Sequence, residues 1–306
     1  MKCNFVTIYE GLPDTKFSCF VFVEKCSSKG DILYAGNDDG RLYFFVVSKH
    51  STVNRQEELN PGEVGGPDHK STITCMMHSK HPSLASSLII DKGGLLFTGS
   101  KDRTLKIWQP AGTFKPLIQT LYGHSGQISG ICDGNDGTIL SCSLDGTIRI
   151  WKPQKGRELM LKPFFECINV VTVCKDEGEW LTGIVVNHFN HWNCFVSNSL
   201  GDILVYEKCN VTLFGSSIVG IGTVEAIASG PLPSSSHTSI VGSTNSAPYL
   251  SIMDTYLRVH DLGITSLFVE NDTNLLVTTS FDGTRYPLYH IKHHPRIYSL
   301  THHNNL

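Results

Sequence analysis

Apolar and polar positions alternate in short bursts along this chain, and the clearest burst occurs twice. Leu95 to Trp108 reads LLFTGSKDRTLKIW, and Thr138 to Trp151 reads TILSCSLDGTIRIW, without a gap between the two. Each copy has an apolar run, a step of small residues, a polar turn and an alternating run that ends in Trp. That pattern predicts two strands joined by a tight turn. Leu105 and Ile107 fall on one face, with Ile148 and Ile150 as their counterparts, while Thr, Lys or Arg, and Trp take the other. A single hairpin of this kind cannot bury both faces, so its recurrence predicts an array of stacked sheets.

Weaker versions of the same pattern run through the rest of the chain. Residues 1–10 hold one strand candidate, Phe5 to Tyr9. A first repeat spans 17–46, with its turn at Asp38-Asp39-Gly40 and Phe45 where Trp would stand. Residues 48–70 are polar, rich in Pro and Gly, and predict a long connection with room for one outer strand. The second repeat covers 71–108 and the third 124–151. A fourth is expected over 168–206, turning at Ser199-Leu200-Gly201-Asp202 and ending on Tyr206, with 175–192 as a long loop insertion. A fifth is expected over 224–252, where Asn245-Ser246-Ala247-Pro248 replaces the usual turn. Pro248 is tolerable only at the start of a strand. The sixth covers 264–288 and regains the turn in Ser280-Phe281-Asp282-Gly283. Residues Arg296 to Leu300 offer one more outer strand.

Gly123-His124, followed by Asp145-Gly146-Thr147-Ile148-Arg149-Ile150-Trp151, resembles a WD40 repeat, and the block around Asp102 is a second match with Asp68-His69 in place of Gly-His. The resemblance implies an all-β fold, a WD40-type β-propeller of six to seven four-stranded blades forming one domain over 1–306. It also implies that the N-terminal strand closes the ring. In the family a His bridges a strand Ser or Thr, the turn Asp and the Trp. The matching residues here are His69, Ser100, Asp102 and Trp108; His124, Ser141 or Ser143, Asp145 and Trp151; and His260, Thr278 or Ser280, and Asp282, with Leu288 in the Trp position.

Composition narrows the function. The 306 residues carry a net charge of −3, which argues against a nucleic-acid footprint or a polybasic membrane patch. No run approaches the ~20 apolar residues of a bilayer span, and the N-terminus does not read as a signal peptide. The ten cysteines are scattered, with no C-x-x-C pair, and several lie in strand-like runs. They predict buried free thiols and an intracellular, cytoplasmic location, with nucleus or cilium as alternatives.

Chemistry-bearing residues are few. A Ser/His/Asp set invites a hydrolase reading, but it recurs repeat by repeat and there is no Gly-x-Ser-x-Gly elbow, so a locked structural network is expected. His188 with His191, and the histidines of 290–303, are conceivable metal ligands, but the tail lacks the carboxylates and cysteines that a metal site recruits, so neither metal nor cofactor is expected. Gly-containing turns at 92–94 and 215–222 match no phosphate loop.

The resemblance implies a role for the residue just before each turn Asp, on the face where partners of this family dock. Those residues are Asp38, Lys101, Leu144, Ser199, Asn245 and Phe281. Leu144 and Phe281 are large apolar residues in tight turns, which either meet a partner or tuck against neighbouring loops. Trp180, Phe189, His191 and Trp192 form a second aromatic candidate, on a loop expected to project from the opposite face. The expectation is a non-catalytic scaffold or adaptor that binds one or more proteins or peptides, without nucleic-acid binding or membrane insertion. The alternatives are a recognition subunit of an enzyme complex such as a ubiquitin ligase, a propeller-based enzyme, or a fragment of a larger assembly.

Overall fold

A computed structural model describes residues 16–27, 30–47, 53–58, 69–80, 94–109, 117–153, 165–174, 176–188, 192–210, 212–214, 217–219, 248–270, 275–283 and 285–290. Among them there is no helix. The strands form antiparallel sheets in chain order. The first sheet is β1 (Phe17–Ser27), β2 (Gly30–Asn37), β3 (Leu42–Val47) and β4 (Val53–Glu58). The second is β5 (Ile73–Ser79), β6 (Leu95–Ser100), β7 (Leu105–Trp108) and β8 (Leu117–Leu121). The third is β9 (Ile128–Asp133), β10 (Ile139–Ser143), β11 (Thr147–Pro153) and β12 (Phe165–Thr172). The fourth is β13 (Leu181–Asn187), β14 (Asn193–Asn198) and β15 (Ile203–Asn210), followed by β18 (Pro248–Tyr256). A small hairpin, β16 (Thr212–Phe214) and β17 (Ser217–Val219), lies between β15 and β18 in the chain. The fifth sheet is β19 (Ile264–Glu270), β20 (Leu275–Ser280) and β21 (Arg285–His290). The chain divides into two compact units, Met1–Ile184 and Val185–Leu306, the division falling within β13.

Three expectations are corrected. The 175–192 stretch is not a loop insertion, because it contains β13, the first strand of the fourth sheet. Its Leu181-Thr182-Gly183-Ile184 repeats the apolar–hydroxyl–glycine–Ile opening of β9, Ile128-Ser129-Gly130-Ile131. Ile168 does not begin the fourth repeat. It lies in β12, which pairs with β11 from Pro153↔Phe165 to Thr147↔Thr172 and so completes the third sheet. The C-terminal part of the expected fifth repeat is likewise the outer strand of the fourth sheet: β18 pairs with β15 from Asn210↔Pro248 to Ile203↔Tyr256, with Pro248 at its start. Residues 220–247, including Asn245, lie outside the described residues, as do Phe5–Tyr9 and Arg296–Leu300. The polar 48–70 connection does contain one outer strand, β4.

Within the first unit the sheets stack through two apolar layers. Leu96 and Trp108 join Ile32, Tyr34, Leu42 and Ile73 between the first and second sheets. Leu95, Phe97, Leu105 and Ile107 join Ile128, Ile139, Trp151 and Phe165 between the second and third. Strand β6 is covered on both faces, so all six of its residues are buried. Within the second unit Phe195, Ile203, Val205, Ile264 and Leu276 make the corresponding layer.

Hydroxyl residues sit at bulges near the start of the first strands, and two of them tie their sheet to the next. Pairing skips Ser18 in β1, Thr74 in β5, Ser129 in β9 and Thr265 in β19, so each is a β-bulge. A bulge turns its side chain out of the ladder. Ser18 Oγ donates to the Ile73 carbonyl, and Thr74 Oγ1 donates to the Ile128 carbonyl at 2.6 Å. Beside each of the first three bulges sits a cross-strand pair of one cysteine and one glycine: Cys19↔Gly36, Cys75↔Gly99 and Gly130↔Cys142. The neighbouring sheet leaves no room for more. A Cβ on Gly36 would lie 2.8 Å from Ile73 Cβ, and one on Gly99 would lie 2.6 Å from Ile128 Cγ2.

Candidate functional site

The strand pattern carries a polar relay into the apolar layers. In the second sheet His69 Nδ1 lies 3.0 Å from Asp102 Oδ2 and Nε2 lies 2.8 Å from Thr98 Oγ1, while Trp108 Nε1–H donates to the same Oγ1 at 2.9 Å. In the third sheet His124 reaches Asp145 at 2.9 Å and Ser141 at 2.9 Å, and Trp151 donates to Ser141 at 2.9 Å. In the fifth, His260 reaches Asp282 at 3.1 Å and Thr278 at 2.8 Å.

The proton positions follow from what each atom can do. A carboxylate only accepts, so the His donates from Nδ1. The indole only donates, so the hydroxyl oxygen accepts from it and donates its own proton to Nε2. The result is one direction of hydrogen bonding, Trp to Thr or Ser to His to Asp. Burial drives the His69 pKa below its ordinary value and outweighs the pull of Asp102, which keeps the ring neutral. Burial alone would raise the carboxyls of Asp102 and Asp145. The bonds from His69 and Thr104, and from His124 and Thr147, with the amides of Lys70 and Ser125, hold both well below the carboxylate range instead.

The bridging hydroxyls correct two expected residues. Thr98 takes the place expected for Ser100, and Ser141 takes that of Ser143. Along β6, Leu96 pairs with Trp108, so Thr98 is two residues from the indole's partner and Ser100 four, roughly 7 Å against 14 Å of strand. Only the nearer hydroxyl is within the indole's reach. Ser100 and Ser143 brace the turns instead, their Oγ atoms accepting the Asp102 and Asp145 amides at 3.0 and 3.1 Å. The Ser141–His124–Asp145 geometry has the bonding order of a nucleophilic triad. Ser141 has no exposed surface, however, and its oxygen is held by the indole. The set is a buttress for the hairpin.

Two buried asparagines escaped the sequence reading. Asn37 Oδ1 accepts the amides of Asp39 and Arg41 at 3.1 and 2.7 Å. Asn198 Oδ1 accepts those of Leu200 and Asp202 at 3.1 and 2.8 Å, and Asp202 in turn accepts the Arg258 amide at 2.6 Å. They occupy the position of Ser100 and Ser143, and their place two residues before the turn slot was the available signal.

The buttressed turns present the docking candidates. Asp38 and Lys101 are exposed, Ser199 is half-buried, Leu144 is 38% exposed and Phe281 is 77% exposed. Tyr122, Leu200, Leu257 and Leu262, not singled out from sequence, are also exposed. Leu200 and Leu262 line a shallow cleft between the β14–β15 turn and the β18–β19 connection. Of the second aromatic candidate, Trp180 and Trp192 are described. Trp180 is exposed just before β13, Trp192 is half-buried just before the antiparallel β14, and Lys208 Nζ lies 5.4 Å from the Trp192 ring centre. Phe189 and His191 lie outside the described residues. Among the described residues no cluster of three His, Cys, Asp or Glu is placed to hold a metal, and no helix is long and apolar enough to cross a membrane.

A family model described as WD domain, G-beta repeat matches residues 66–109 and 115–152, the spans that supply the second sheet, the first three strands of the third and both of their relays. The chain carries WD40 repeats over those residues. Among characterised proteins, it is 36% identical over 80 residues to Striatin-3 of Homo sapiens, covering 23% of this chain and 10% of that one. It is 29% identical over 159 residues to the ribosome biogenesis protein WDR12 homolog of Trichoplax adhaerens, covering 50% of this chain and 33% of the relative. It is 40% identical over 82 residues to the nuclear distribution protein nudF of Aspergillus terreus, covering 26% and 17%. The chain thus spans a third or less of the length of these relatives.

Proposed function

We propose that this protein is a non-catalytic interaction scaffold, its sheets serving as successive blades of a single WD40-type propeller and its turn ends capturing partner proteins. The observation that carries the reading is the contrast at the turns. Their bases are locked by buried hydrogen bonds, while Leu144 and Phe281 stand out into solvent on the same turn position of two sheets. Rigid bases with exposed apolar tips suit docking, since little ordering is required on association. The free thiols Cys19, Cys75, Cys132, Cys142 and Cys194 support a reducing, intracellular setting. The names of relatives, in ribosome biogenesis and nuclear distribution, suit a subunit of an assembly.

The test is affinity purification of the tagged chain beside the Leu144→Ser/Phe281→Ser double variant. The expected result is a stoichiometric set of proteins that the variant loses while its melting temperature stays close to the parent's, as for most surface substitutions. A chain recovered alone, or a variant that unfolds, refutes the reading.

A further inference from the structure

The turns of the five sheets share one backbone solution, and one of them reaches it without glycine. Gly40, Gly146, Gly201 and Gly283 take φ values of 87°, 75°, 88° and 77° at the last turn position. The second sheet has Arg103 there, at φ 72°. A non-glycine residue in this left-handed region costs roughly 1–2 kcal/mol. A strained residue kept where glycine serves elsewhere points to a use for its side chain.

That side chain has company. Lys101 lies on the same turn, and Lys70 is tied to it by its amide, which donates to Asp102 Oδ2 at 2.8 Å. Lys70, Lys101 and Arg103 are all exposed, and none has an ion-pair partner among the described residues. Asp102, the carboxylate between them, is consumed by His69, Thr104 and two amides. On the neighbouring third sheet the equivalent turn presents Leu144, and the connection from β8 to β9 presents Tyr122 at 74% exposure. On the first sheet the equivalent turn presents Asp38 and Asp39, both exposed, with the exposed Lys16 and Arg41 flanking them. The turn tips of this unit therefore read acidic, basic, apolar across three adjacent sheets.

We infer that this surface binds a linear peptide segment of a partner protein, in which an acidic residue seated on Lys101 and Arg103 is followed by a bulky apolar residue on Leu144 and Tyr122. The inference rests on the scaffold reading and names the partner's chemistry. Facing sheets lie about 10 Å apart, and an extended chain advances ~3.3 Å per residue. The acidic and apolar anchors are then about three positions apart, with a basic residue favoured about three positions beyond the acid, over Asp38 and Asp39. Charge complementarity selects the register, and the apolar anchor supplies most of the area. A nucleic-acid backbone fits less well, because the basic patch is flanked by carboxylates on one side and by apolar side chains on the other.

The experiment is selection of a displayed random-peptide library on the full chain, repeated on Lys101→Glu/Arg103→Glu. The expected consensus is acidic and apolar at about three-residue spacing, absent from the variant selection. A synthetic consensus peptide then binds the parent in a salt-sensitive manner and the variant about tenfold more weakly or worse. Arg103→Gly separates binding from folding: it relieves the turn, so the melting temperature rises while peptide affinity falls. The inference is overturned if no peptide is enriched, if the consensus lacks acidic residues, if Arg103→Gly binds the peptide as the parent does, or if a single-stranded oligonucleotide binds with the same dependence on Lys101 and Arg103. Partners that the Lys101→Glu/Arg103→Glu chain still captures in affinity purification would overturn it too, while leaving the scaffold reading intact.

Discussion

Replacing Thr98 with valine keeps the shape of the side chain and removes one oxygen, yet that oxygen joins two buried partners. Thr98 has no exposed surface. Its hydroxyl accepts from Trp108 Nε1 at 2.9 Å and donates to His69 Nε2 at 2.8 Å. In Thr98→Val an indole N–H and an imidazole nitrogen are both stranded, each costing roughly 1–3 kcal/mol. The expected loss is about 2–5 kcal/mol, which lowers the melting temperature by roughly 3–8 °C if the whole chain unfolds together. Ser100→Ala is the control, two residues along the same strand. It removes an acceptor for the Asp102 amide and a donor to the Ser71 carbonyl at the turn, worth about 0.5–1.5 kcal/mol. Calorimetry on both variants, and on Thr98→Val in a Trp108→Phe background, completes the assay. Without the indole N–H to strand, the second background softens the Thr98 loss by about 1 kcal/mol. Equal losses for Thr98→Val and Ser100→Ala, or strict additivity with Trp108→Phe, would refute the relay as the element that joins the strands.

Two further predictions concern pH and the turns. His69 is held below its ordinary 6.5, so as pH falls past that value the unfolded chain takes up a proton that the folded one resists. Asp102 and Asp145 are held below 3.8, so they add a second loss below about pH 4. Melting temperature should therefore fall from pH 7 to 5 and again below 4, and a rise on acidification would contradict the assigned shifts. Gly40→Ala and Gly283→Ala impose similar left-handed strain, at φ 87° and 77°, but a Cβ at Gly40 lies 2.2 Å from the His69 carbonyl oxygen while Gly283 has nothing within 4 Å. Denaturant titration should show a loss of about 1–2 kcal/mol at Gly283 and a larger one at Gly40; equal losses would mean that the turn does not press on the next repeat.

The hairpins were legible in the sequence because three independent signals coincide there: alternation, the Asp-Gly or Asp-Arg turn and the terminal Trp. Outer strands lack all three. Pairing of β8, β12 and β18 slips opposite the Trp position, between Ile107 and Trp108, Ile150 and Trp151, and Val205 and Tyr206. That slip breaks the two-residue period, and half-exposed residues then blur what remains. This is why Phe165–Thr172 read as the start of a new repeat and Pro248–Tyr256 as the end of another. The His and Asp of each relay were visible from their fixed spacing. The choice between Thr98 and Ser100 was not, since both are small hydroxyl residues on one face and only the reach of the indole separates them. Asn37 and Asn198 were missed because an amide does the work that a serine does elsewhere.

The cysteine–glycine pairs beside the bulges carry a consequence for how such a chain can vary. In the first and second sheets the cysteine stands on the first strand and the glycine on its neighbour, whereas in the third the two are exchanged. The site accommodates a single sulfhydryl-bearing side chain and is indifferent to which strand supplies it. Substitution at one member alone leaves either a void or a collision with the isoleucine of the next sheet, so the two positions change as one unit. The quantity held constant is a volume shared across two strands, and neither residue is required by itself.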